Sequence, residues 1–162
     1  MFYHVRYFYY IYTMKHIKLY EEFLNKGVSN ITAYHTSGTK ISSFKPASVW
    51  VTTNLEFAKA YQDNAIDEGR DAYTYEIRVS GNILTQDAAS ELSETLGIDF
   101  EDLIADLTGN PDVKERTQLI KPFIGKCDGF FHWDYDPRDW GDGESLLVFN
   151  PAKHAKIIKQ IY

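Results

Sequence analysis

Cysteine occurs once in this chain, at Cys127, which excludes an internal disulfide framework and any zinc site built on several thiolates. A reducing, cytoplasmic setting is the expectation that follows. Long apolar runs are also missing. A membrane-crossing helix needs about 20 mainly apolar residues, whereas the aromatic run from Met1 to Met14 is interrupted by His4 and Arg6 and ends at Lys15. That run has no small-residue cleavage site behind an aliphatic segment, so it does not read as a secretion signal. Basic residues are in deficit, 17 Lys and Arg against 23 Asp and Glu, for a net charge of -6. The deficit removes the broad attraction on which duplex nucleic-acid binders rely. No segment repeats with a period of about 20–50 residues, so solenoids and propellers drop out. Neither G-x-S-x-G, G-x-x-x-x-G-K-[ST] nor G-x-G-x-x-G occurs, and the serine hydrolases and common nucleotide folds lose their main support.

What the chain does have is an ordinary globular balance, 44% hydrophobic and 25% charged over 162 residues, which predicts one domain spanning residues 1–162. Aromatic residues reach 15%, and they fall where strands are expected. The segment Met1 to Met14 is read as an N-terminal strand, and Ile17 to Asn25 as a short amphipathic helix ending at Gly27. Ile31 to Tyr34 and Val49 to Thr52 read as strands, the first delivering His35. Thr53 and Asn54 offer caps for a helix from Leu55 to about Asn64. Tyr73 to Val79 alternates apolar and polar residues in the manner of a half-buried strand. Residues 85–121 change to acidic helical pieces around Glu91–Leu96, Phe100–Leu107 and Val113–Lys121, read as an insertion because fewer than about 40 residues seldom support a core of their own. Gly125 to Trp133, Leu146 to Phe149 and Ile157 to Ile161 complete a mixed α and β pattern.

His35, in Ala33-Tyr34-His35-Thr36-Ser37, has two readings: a binding residue at a strand end, or an imidazole satisfied by local hydrogen bonds. The acidic loop after strand Gly125–Trp133 holds Asp134, Asp136, Asp139 and Asp142 near His132 and Glu144. No register of it supplies the alternate ligands, sixth-position glycine and twelfth-position glutamate of a calcium hand, and no metal is expected. The same loop carries Trp133, Tyr135 and Trp140, and aromatics among charges on a loop suit a partner contact.

Three separated segments, Tyr34-His35-Thr36-Ser37, Val49-Trp50-Val51-Thr52 with Ala58 and Tyr61, and Gly143 to Pro151, taken together resemble ADP-ribosyltransferases of the His-Tyr-Glu class, in particular small bacterial and phage members. Cys127-Asp128-Gly129-Phe130 resembles a Tyr-Asp-Gly segment that precedes their last motif. The resemblance runs from about Ile31 to Ile158. It implies an α+β fold of split antiparallel β-sheets with flanking helices and, here, the helical insertion of about 85–121. It also implies NAD as co-substrate. His35 would donate to a ribose hydroxyl, and Thr36 would offer backbone N–H and C=O to the carboxamide. Trp50 and Tyr61 would hold the flat nicotinamide ring, with Thr52 in the same cofactor site.

By that resemblance the chain would move ADP-ribose from NAD to a macromolecular acceptor, as a toxin or phage effector, through an oxocarbenium-like state that a carboxylate stabilises. A protein acceptor is favoured over nucleic acid because the loop Trp133 to Asp142, the expected substrate-reading surface, is acidic. Two departures stand out. The family has glycine where Thr36 stands. Aligning Leu146 to Pro151 with the family strand puts Ser145, not Glu144, at the usual glutamate position. Adjacent strand residues face opposite ways, so Glu144 serves only if the strand starts one residue later or a bulge at the glycine-flanked strand start turns it inward. Glu144 and Ser145 are therefore the candidate catalytic pair. The alternatives are a non-catalytic interaction module on the same fold, with Ser145 marking a lost acid, and an NAD glycohydrolase.

Overall fold

A computed structural model describes residues 27–28, 30–109, 112–134 and 143–162. The expected N-terminal strand, the helix at 17–25 and the loop residues 135–142 lie outside the described residues. The strands are β1 (Gly27–Val28), β2 (Ile31–Ser37), β3 (Ser48–Thr52), β4 (Tyr73–Val79), β5 (Ile83–Leu84), β6 (Gly129–Asp134), β7 (Gly143–Phe149) and β8 (Ala155–Gln160). The helices are α1 (Leu55–Asp67), α2 (Gln86–Thr95), α3 (Phe100–Gly109), α4 (Val113–Ile120) and the single turn α5 (Pro151–His154), with a 3-10 turn at Lys121–Phe123. The architecture is mixed α+β. All eight strands share one sheet in the order β1-β5-β6-β7-β3-β2-β4-β8, antiparallel except for β5 beside β6. No described helix is long and apolar enough to cross a membrane.

Local chemistry accounts for these elements. Asn54 caps α1, its side-chain oxygen accepting from the backbone N–H of Glu56 at 3.0 Å and of Phe57 at 3.3 Å, which satisfies two donors the helix cannot. Phe57, Ala58, Gln62 and Ala65 form its buried stripe. On the central strand β7, Leu146 and Val148 join one apolar cluster with Ala33, Val49, Val51 and Ile77. Leu147 and Phe149 join another with Leu92, Leu103, Leu107, Phe123 and Phe130. Burial on both faces explains why β7 reads as an unbroken apolar run instead of alternating. The insertion helices α2, α3 and α4 thus cover one face of β5, β6 and β7 and share its core.

The sheet is continuous in order but not in pairing. β2 pairs with β4 over seven residues, from Ile31↔Val79 to Ser37↔Tyr73, and β3 with β7 over five. β2 and β3 meet only at Tyr34↔Thr52. Continuing that antiparallel register would set His35 opposite Val51 and Thr36 opposite Trp50, and neither pair forms. The sheet therefore parts along a seam between β2 and β3.

Candidate functional site

A side chain occupies the place of the missing ladder. His35 Nδ1 lies 3.0 Å from the Trp50 carbonyl oxygen. A carbonyl only accepts, so Nδ1 carries the proton and, in the neutral ring, Nε2 is left as an acceptor. Burial is the larger influence on this imidazole and lowers its pKa, with the Trp50 carbonyl pulling the other way. The ring also packs edge-on against Phe44, centroids 5.4 Å apart. In the neutral ring a hydroxyl approaching Nε2 would donate to it.

Thr36 is held differently. Its hydroxyl donates to the Ala58 carbonyl at 2.9 Å and lies 2.9 Å from the Thr74 hydroxyl, which reaches Gln62 Oε1 at 2.6 Å. This chain fastens α1 onto β2 and β4. The backbone of Thr36 faces the other way. Thr74, its partner across the ladder, gives its own N–H to the Tyr162 carbonyl and accepts from Ile161 N, so Thr36↔Thr74 is a pair whose backbone groups point apart. The N–H and C=O of Thr36 consequently turn toward β3, into the seam.

A cavity of about 330 Å³ opens at the seam, within the range of small-molecule sites. His132↔Ser145, Ser145↔Thr52 and Thr52↔Tyr34 are directly opposed across four neighbouring strands, so these polar residues form one row on one face. All four line the cavity, with His35, Thr36, Trp50 and Tyr61 around them. Tyr61 is 41% exposed and meets Phe57 edge-on at 5.2 Å. Two wall atoms are buried without a hydrogen-bond partner among the described residues, Trp50 Nε1 and His132 Nδ1. Such atoms are rare in native folds, and a bound water, ion or ligand is one way they are satisfied.

The expected bulge at the start of β7 is not there. Trp133↔Glu144 and His132↔Ser145 follow in unbroken register, so Glu144 faces away from the surface Ser145 shares with the cavity. Its side chain is exposed. What Glu144 supplies to the seam is its backbone: the carbonyl accepts from the Thr52 hydroxyl at 2.9 Å and from Thr53 N at 3.3 Å. Ser145 is buried, in the cavity wall. Among the described residues no Asp or Glu lines this cavity. The structure thus gathers His35, Thr36, Trp50, Thr52, Tyr61 and Ser145, and leaves Glu144 outside.

His132 joins the site from an unexpected direction, since its sequence neighbours group it with the acidic loop. Its signal was the alternation of β6, where Phe130 and His132 share one face. Of the loop Trp133 to Asp142, Trp133 is 55% exposed, and its backbone N–H donates to Gln86 Oε1. No protein-family model, curated protein or solved structure matches this chain.

Proposed function

We propose that the seam cleft binds the nicotinamide–ribose end of NAD and that the chain is an ADP-ribosyltransferase-like protein. The observation that carries this reading is the meeting, in one cavity, of two aromatic side chains from different elements, Trp50 and Tyr61, with the inward-turned backbone of Thr36. A flat ring suits the aromatics, and a carboxamide needs one donor and one acceptor, which a single backbone unit supplies. His35 Nε2 and the hydroxyls of Thr52 and Ser145 provide polar groups for the ribose. In transfer, the bond between the anomeric carbon and the nicotinamide nitrogen breaks, and the ring leaves as a neutral base. The acceptor's oxygen or nitrogen then bonds to that carbon and gives up its proton to solvent.

A second reading, an NAD binder without turnover, is favoured by one specific observation: Ser145, not a carboxylate, faces the cavity from β7. Titration of NAD by calorimetry, with nicotinamide release followed in a cell lysate, separates the two. NAD binds the wild-type protein, and Tyr61→Ala weakens binding about tenfold, the upper end of what an aromatic pair contributes. Release of nicotinamide with label on an acceptor supports the transferase, and binding without release supports the binder. Absence of binding at about 1 mM NAD, the weak end of ordinary substrate affinity, overturns both.

A further inference from the structure

Beyond the seam, the walls change from aromatic to basic. A groove of about 590 Å³ shares His35 and Trp50 with the seam cavity and carries Lys40, Lys45 and Arg116. A third groove, of about 560 Å³, shares Lys45 and Pro46 with the second and adds Lys121. The three form one trough, from the aromatic cleft along the loop between β2 and β3 to the end of α4. Among the described residues no Asp or Glu lines either outer groove. In a chain of net charge -6, four cations together without an acid are a local reversal of sign. Lys45, Arg116 and Lys121 have no ion-pair partner among the described residues, and Arg116 Nε is buried with no hydrogen-bond partner. Lys40 Nζ lies over the Tyr73 ring, 5.4 Å from its centroid, a contact that leaves its charge unneutralised. Ser42 and Ser43, between Lys40 and Lys45 in sequence, line the same groove.

We infer that this trough binds single-stranded nucleic acid, its phosphates against Lys40, Lys45, Arg116 and Lys121 and an unstacked base toward the aromatic cleft. A row of cations matches a repeating phosphate, and an adjoining aromatic wall matches a base with no pairing partner. A duplex is disfavoured, because it spans a wide face and meets the net negative field of the whole chain. An acidic peptide has no use for the aromatic end of the trough. The local charge thus points the opposite way from the protein acceptor expected from the net charge and the acidic loop. The inference goes beyond the NAD reading: its main readout needs no NAD, and an NAD titration of the same variants separates the two.

The experiment is fluorescence anisotropy of a labelled oligothymidylate of about 12 residues across a salt series, with Lys45→Ala, Arg116→Gln and Lys121→Ala beside the wild type. Three to four phosphate contacts predict a slope of log K against log salt of about -2 to -3, and each substitution reduces it by about 0.7. Lys45 and Lys121 are exposed, so their variants keep the fold, which thermal melting verifies. No binding at low salt, binding unaffected by the three substitutions, or equal binding of polyglutamate overturns the inference. So does loss of NAD binding alone in these variants, which would make the trough a seat for the cofactor's own phosphates.

Discussion

Glu144→Gln tests which residue of β7, the acid or Ser145, serves the proposed NAD site. If the cleft cleaves NAD as proposed, a carboxylate touching the reacting ribose would contribute through direct electrostatic contact, and removing such a contact costs about 10²–10³ in rate. The geometry of β7 denies Glu144 that position, because the register from Trp133↔Glu144 to Gly129↔Val148 is unbroken and Ser145 takes the cavity face. A carboxylate on the far face of a strand is about 10 Å from a reacting carbon on the near face, and in a water-like dielectric its charge is worth only about 0.4 kcal/mol there. That is roughly a twofold effect on rate. The assay is nicotinamide release at saturating NAD, with NAD affinity as the second readout and thermal melting as the control for folding. Glu144→Gln is expected to stay within about threefold of wild type in both readouts. A fall of a hundredfold or more in release, with the melting temperature unchanged, would refute the placement of Glu144 outside the site.

Other perturbations test other parts of the structure. A β-carbon at Gly129 would lie 2.3 Å from the Leu147 carbonyl oxygen, a backbone atom that cannot swing aside, so Gly129→Ala costs about 3 kcal/mol. The melting temperature then falls by roughly 6–12 °C, and an unchanged melt would contradict the packing of β6 on β7. Burial holds the pKa of His35 down, so below about pH 6.5 the unfolded chain takes up this proton before the folded one does. The stability linked to His35 is present in full above that pH and is lost as pH falls toward the lowered folded pKa. Urea unfolding at about pH 5 and pH 7.5 should therefore show a smaller pH dependence in His35→Gln than in wild type. Cys127 is 5% exposed and burial pushes its thiol up to about 12. Iodoacetamide at about pH 8 leaves it unmodified in the native protein and alkylates it in urea, and rapid native labelling would show that the core around Phe123 and Phe130 opens.

Much of this protein was legible in one dimension. The alternation of Tyr73 to Val79, the cap at Asn54 and the apolar run Leu146 to Phe149 all report local geometry, whereas β2 does not end at Tyr34 to deliver His35 but runs through it to Ser37, held by its seven-residue pairing with β4. A strand's two-residue period and a helix's unsatisfied first N–H groups are properties of neighbouring residues. The sequence also brought Thr36, Trp50, Thr52 and Tyr61 forward as companions, and they share one cavity. Helix α2 starts at Gln86, earlier than the apolar pattern around Glu91–Leu96 suggests, because Thr85 caps it and its first turn is stabilised by packing on the sheet. Strand β6 starts at Gly129, not Gly125, since Lys121–Phe123 closes a 3-10 turn first.

Three matters were settled only by elements distant in sequence. Whether Glu144 or Ser145 faces the cleft is a question of register against β6, and a one-residue slip exchanges the two faces. His132 enters the site because β6 and β3 flank β7 and set His132, Ser145 and Thr52 in one row. The basic trough exists because Lys40 and Lys45, on the loop between β2 and β3, meet Arg116 and Lys121 from the insertion, some 70 residues further along the chain. Net charge is a sum over the whole chain, whereas a ligand meets only the charges that folding places on one wall.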